Sequence, residues 1–182
     1  MTVMPGRQED SDSTLVAAYR GGDQRAATVL VARHAPPVGR FLYSSGAGGG
    51  EVEDLVQETF FRAFRRIDSW REEASFRTWL FTIAGNLLKD AYRKNRGHKL
   101  LSIEERDFPD HHDPHTELAA SETEQQLRTG LEKLPRLQRE VFLMRVQLGT
   151  GYDEIAVALG TTPGAARVHY HHAVKRLKEF VA

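Results

Sequence analysis

Apolar positions recur at helical spacing through most of the chain, and no stretch shows the strict alternation of a half-buried strand. Leu15, Val16, Tyr19, Ala26, Val29, Leu30 and Arg33 follow the helical period up to about Tyr43. A break is expected at Gly21-Gly22, after which Asp23 can cap a new helix. Pro36-Pro37 is expected to interrupt the pattern, and Ser44 to Gly50, rich in Gly and Ser, to form a flexible connector. The clearest period of the first half runs from Glu51 to Ile67, where Val52, Val56, Thr59, Phe60, Ala63 and Ile67 make an inward stripe. Ser69 to Ser75 reads as a short loop. Phe76 to Asn95 reads as a helix, apolar early (Trp79, Leu80, Ile83, Leu87) and basic late (Lys89, Arg93, Lys94, Arg96). Further on, Glu124 to Lys133 and Arg136 to Leu148 are helical in pattern, separated at Pro135, and Gly149 to Gly151 ends the second.

The pattern therefore predicts an all-α chain of two small helical domains joined by a flexible acidic linker. The expected divisions are a flexible tail over 1–13, a first domain over 14–97, the linker over 98–123 and a second domain over 124–182. The formal net charge is +0, but Ser102 to Gln126 carries eight Asp or Glu against one Arg, while Lys89 to Lys99 is basic. A neutral total of this kind can hide a nucleic-acid-binding face beside an acidic segment. With no cysteine, disulfides, thiol catalysis and thiolate metal sites are excluded. The polar start shows no signal peptide and no apolar run approaches a membrane span, so no membrane insertion and a cytoplasmic location are expected.

Tyr152 to Phe180 reads as a helix-turn-helix. Ile155 and Leu159 supply inward contacts, Ala156 is small enough for close approach, and Gly160 can take the positive φ of a tight turn. Thr161 or Thr162 can cap the second helix, with Pro163 in its first turn. That helix would present Arg167, Val168, His171 and His172 outward, early residues toward base edges, with Lys175, Arg176 and Lys178 placed for phosphates. His169 and His172 share a face, but no carboxylate completes a metal site there. His111, His112 and His115 lie in the acidic linker, where solvated polarity explains them as well as metal affinity does. No metal and no cofactor are expected.

On the helix from Glu51, Asp54, Gln57, Glu58, Phe61 and Arg65 line a stripe opposite the core stripe. An outward Phe61 amid polar groups points to a protein partner. At these residues the chain resembles the extracytoplasmic-function (ECF) sigma factors of bacterial RNA polymerase. Asp54-Leu-Val-Gln-Glu-Thr-Phe60, Ser75-Phe-Arg-Thr-Trp-Leu-Phe-Thr-Ile-Ala-Gly-Asn86 and Asp90-Ala-Tyr-Arg93 are similar to their region 2. Leu134 to Arg145 with Tyr152 to Leu177 is similar to their region 4.

The resemblance implies a promoter-specificity subunit. Asp54, Gln57, Glu58, Phe61 and Arg65 would dock on the clamp helices of the polymerase β′ subunit. Arg71, Glu73, Ala74, Ser75 and Asn86 would hold a flipped base of the −10 element, with Lys89, Asp90, Arg93 and Lys94 on adjacent DNA. Thr162, Pro163, Arg167, Val168, His171, His172 and Lys175 would read the −35 element, and region 4 would meet the β flap. The acidic linker would run through the basic channel of the polymerase, and an anti-sigma factor is implied as a further partner. Two departures stand out: Glu72 occupies a position where the family often has Gly, and Gly164 to Tyr170 differs from the usual recognition-helix sequence. A stand-alone helix-turn-helix regulator is the alternative, but it leaves the Phe61 stripe idle. An enzyme is not expected, since no nucleophile constellation appears and Gly46 to Gly50 lacks the lysine of a phosphate-binding loop.

Overall fold

The computed structural model describes residues 10–99 and 122–181. Eight helices account for nearly all of it, and no strand occurs among the described residues. They are α1 (Asp12–Arg20), α2 (Gln24–Ser44), α3 (Gly49–Arg65), α4 (Phe76–Lys99), α5 (Glu122–Lys133), α6 (Arg136–Leu148), α7 (Tyr152–Leu159) and α8 (Pro163–Val181), with a 3-10 turn at Ile67–Ser69.

α1 begins inside the expected tail, because the Ser11 side chain accepts a hydrogen bond from the Thr14 N–H at 3.2 Å. Asp23 caps α2 as expected, its carboxylate accepting from the Arg25 N–H. Pro36-Pro37 does not interrupt α2, which runs through both prolines. The residues around them explain why: Leu30, His34, Pro37, Val38 and Phe41 are all buried. Each large apolar side chain fully buried is worth about 1.5–3 kcal/mol, enough to outweigh the lost hydrogen bonds. The expected flexible connector also proves to be a short, pinned turn. Ser45 and Ala47 are buried, and the Tyr92 hydroxyl donates to the Gly46 carbonyl at 2.5 Å.

α1 to α4 share a core of Val16, Leu30, Phe41, Leu42, Leu80 and Phe81, with the Phe41 and Phe81 rings 4.7 Å apart. An ion-pair clamp joins α1 to α2: Asp12 accepts from Arg33 at 2.8 Å and lies 2.9 Å from the buried His34 ring nitrogen. Burial would raise the Asp12 pKa, but the bonds from His34 and Arg33 outweigh it and hold the carboxyl below its ordinary range. α5 to α8 pack around Val141, Leu143, Met144, Ile155, Ala166, Ala173 and Leu177.

These two groups of helices do not stand apart. α7 and α6 pack on α4, and α5 and α6 pack on α2. The expected linker is shortened at both ends, because α4 continues to Lys99 and α5 starts at Glu122. His111, His112 and His115 lie outside the described residues.

Candidate nucleic-acid interface

The loop between the 3-10 turn and α4 is built from below. Trp70 is buried, its indole N–H donating to the Ala74 carbonyl at 3.0 Å and its ring lying edge-on to Phe76. Arg20 reaches from α1 to the carbonyls of Ile67 and Trp70 at 2.5 and 2.9 Å. Nothing in the helical period marks Trp70 or Arg20 for this role, since both act on a loop. Held at both ends, the loop exposes Arg71, Glu72 and Glu73. Glu72 has φ 61°, the one non-glycine residue with positive φ among those described. It adopts the left-handed geometry that a glycine takes without penalty, and Ser13 donates to its carboxylate at 3.1 Å.

Ser75 caps α4. Its hydroxyl oxygen accepts from the Thr78 N–H at 3.2 Å and pairs with the Thr78 hydroxyl at 2.9 Å. The Ser75 side chain is thus committed to the helix, and what it offers outward is its backbone N–H. Farther along α4, Asn86, Lys89, Asp90, Arg93 and Lys94 are exposed. The candidate residues of this group therefore share one loop and one helix, with Trp79 and Ile83 packed toward the core behind them.

On α3 the stripe is also as expected. Asp54, Gln57, Phe61 and Arg65 are exposed, and Glu58 is held at 2.7 Å by Arg62. Phe61 is 56% exposed, with the Arg65 guanidinium 5.5 Å from its ring centroid. The ring is thus left largely open, on a helix whose opposite side packs into the core.

The helix-turn-helix forms at α7 and α8. Gly160 closes α7 in the left-handed region, with φ 63°. Of the two candidate caps, Thr162 acts: its hydroxyl oxygen accepts from the Ala165 N–H at 3.1 Å. Ala166, Ala173 and Leu177 bury one face of α8, and Thr162, Pro163, Arg167, Val168, His171, His172 and Lys175 remain exposed. Arg167 lies over the Tyr152 ring at 5.3 Å, which steadies it near the start of the helix. Among the described residues no cluster of three or more metal-ligating side chains forms.

The two groups of helices also meet at this loop. The Ser75 N–H donates to the Glu154 carboxylate of α7 at 2.7 Å. Burial would raise the Glu154 pKa, but hydrogen bonds from Ser75 and Thr78 outweigh it and hold the group below its ordinary value. Farther along α4, a Cβ placed on Gly85 would lie 3.3 Å from the Glu140 carboxylate of α6.

Comparison with known proteins accounts for both halves of this arrangement. The Sigma-70 region 2 family matches residues 30–98, and the Sigma-70 region 4 family matches residues 124–177. The chain is 33% identical to RNA polymerase sigma factor CarQ of Myxococcus xanthus over 169 residues, 90% of this chain and 93% of that protein. The chain belongs to the ECF family of RNA polymerase sigma factors. The ECF sigma-E factor of Escherichia coli K12 is 31% identical over 167 residues, 86% of this chain and 87% of its own. Two solved structures of such factors are similar in fold. CnrH in complex with the cytosolic domain of CnrY superposes with TM-score 0.72 at 28% identity, covering 94% of this chain and 97% of that one. RpoE with the anti-sigma factor NepR from Bartonella quintana superposes with TM-score 0.68 at 25% identity, covering 87% and 96%. This ECF sigma factor thus has region 2 in α2 to α4 and region 4 in α5 to α8. No helix among the described residues is long and apolar enough to cross a membrane.

Proposed function

We propose that this sigma factor uses three exposed surfaces in turn, working in the cytoplasm as a non-enzymatic specificity subunit. Asp54, Gln57, Glu58, Phe61 and Arg65 on α3 dock on the β′ clamp helices of core polymerase. The 71–75 loop with Asn86 holds an unstacked base of the −10 element, and Lys89, Asp90, Arg93 and Lys94 flank it. Residues 162–175 of α8 read the −35 element while region 4 meets the β flap. Residues 14–97 and 124–182 are the working units, and an anti-sigma factor is the partner that covers them.

The observation that carries this reading is the open Phe61 ring, seated in a polar stripe on a helix whose opposite side packs into the core through Thr59, Phe60 and Ala63. A stand-alone DNA-binding regulator has no use for it. Run-off transcription with bacterial core polymerase on promoter fragments tests the reading. Specific initiation should require this protein, and Phe61→Ala should reduce core binding and initiation at least tenfold, as loss of an interface anchor does. Full initiation by the variant would return the weight to a stand-alone regulator.

A further inference from the structure

Beside the clamp that joins α1 to α2 lies a polar cavity of about 660 Å³, open to solvent. Arg33, Pro37 and Arg40 line it at spacings of four and three, so one face of α2 supplies two guanidiniums. Arg77 of α4 brings a third. Two acids share the lining, Asp10 and Asp12. Asp12 is already committed, accepting from Arg33 at 2.8 Å and lying 2.9 Å from the His34 ring. Arg33 is committed as well, since it also donates to the Asp10 carbonyl at 2.9 Å.

Arg40 and Arg77 are in a different state. Among the described residues no ion pair joins either one to a carboxylate. Arg77 donates to the Gln147 carbonyl at 3.5 Å, the outer limit of a hydrogen bond, and its Nε is buried with no partner. Burial lowers the Arg77 pKa and the Arg40 charge lowers it further, with Asp12 pulling the other way. Two like charges and an unmet donor beside an open cavity destabilise the fold locally, and a bound anion would relieve both. Guanidiniums fork onto phosphoryl oxygens through paired bonds, which makes phosphate the matching chemistry. The volume lies within the range of about 300–1,000 Å³ usual for small-molecule sites, so it has room for more than a single ion.

We propose that this cavity is a binding site for a small diphosphate-bearing anion, with Arg40 and Arg77 as its ligands. Arg33 and His34 stay paired with Asp12 beside it. The bound anion joins α2 to α4 next to Pro36-Pro37, where α2 lacks two amide donors, and so stabilises region 2. The site uses none of the residues assigned to polymerase or promoter, and it stands whether or not those assignments hold.

The test titrates the full chain with inorganic pyrophosphate and with ADP by calorimetry, and follows melting alongside. Pyrophosphate should bind and raise the melting temperature. Arg40→Gln and Arg77→Gln should each weaken binding by about tenfold or more, the scale of one hydrogen bond to a charged group. Arg25→Gln removes an exposed guanidinium on the same helix outside the cavity, and should leave binding unchanged. Without anion, Arg40→Gln should melt no lower than the parent chain, because it relieves the repulsion on Arg77; a clear fall would assign Arg40 to the fold and overturn the proposal. Tighter binding of ADP than of pyrophosphate would identify the ligand as a nucleotide, and the reverse as free diphosphate; either supports the site. Absence of binding, or equal weakening by all three substitutions, overturns it. So does a mixed-sequence DNA duplex that displaces pyrophosphate and is itself weakened about tenfold by Arg40→Gln, since the site then belongs to the DNA backbone.

Discussion

Region 2 and region 4 each carry a basic helix with an exposed face, but the two surfaces stand in different states. The outer face of α8 is open along Arg167, Val168, His171 and Lys175, so on the proposed reading it meets a major groove without rearrangement. The α4 surface begins in a loop held in shape by Trp70 and Arg20, and the N–H at its helix start is already bonded to Glu154. A duplex reader can remain exposed because it recognises DNA as DNA exists. A reader of melted DNA offers unpaired hydrogen-bonding groups, and such groups attract any anion within reach, including one from the same chain.

The largest effect should come from the loop floor. Trp70→Ala removes a buried indole and its bond to Ala74, and is expected to cost about 3–5 kcal/mol of stability. Urea unfolding measures this, and a loss below about 1 kcal/mol would show that Trp70 does not shape the loop. Next in size, two truncations should separate the surfaces. Asn86→Ala should weaken binding to a single-stranded −10 oligonucleotide while leaving a −35 duplex unaffected, and Arg167→Ala should do the reverse. Each should cost about 1–3 kcal/mol, or roughly 5- to 150-fold in affinity. Equal effects of both variants on both ligands would erase the distinction between the surfaces.

The smallest effect is the pH dependence of the contact between Glu154 and Ser75. The Glu154 pKa is depressed in this contact, so its contribution is fully present above the ordinary carboxyl value of 4.5 and is lost as pH falls through the depressed value. Because the chain has no cysteine, Arg25→Cys and Lys178→Cys give a clean dye pair across the two regions. Energy transfer between the dyes should therefore be flat near neutrality and fall only in acid below 4.5, with Glu154→Gln removing that part of the fall. The Asp12 clamp weakens in the same direction, so folding must be followed alongside by circular dichroism.

Much of this was legible in the residues. The inward stripe of α3, the outward Phe61, the Asp23 cap, the Gly160 turn and the exposed face of α8 all follow from local periodicity and capping chemistry, which depend on neighbours within a turn or two. The misreadings involve partners far away in sequence. Pro36-Pro37 signals a break locally, but burial of the flanking face carries α2 through it. Ser44 to Gly50 looks loose until Tyr92 pins Gly46 from α4. Trp70 is the loop residue it reads as, but its role as the loop floor depends on Arg20, fifty positions earlier, bonding to its carbonyl.

The sequence by itself determined the all-α class, the family and the faces that α3 and α8 turn outward, because helical periodicity and motif spacing are local properties written directly in residue order. Only the tertiary structure decided that Glu154, a first-turn acid of α7, seats on the start of a helix 79 positions earlier. That pairing depends on how two packed regions meet, and no local pattern in the chain encodes the distance between them.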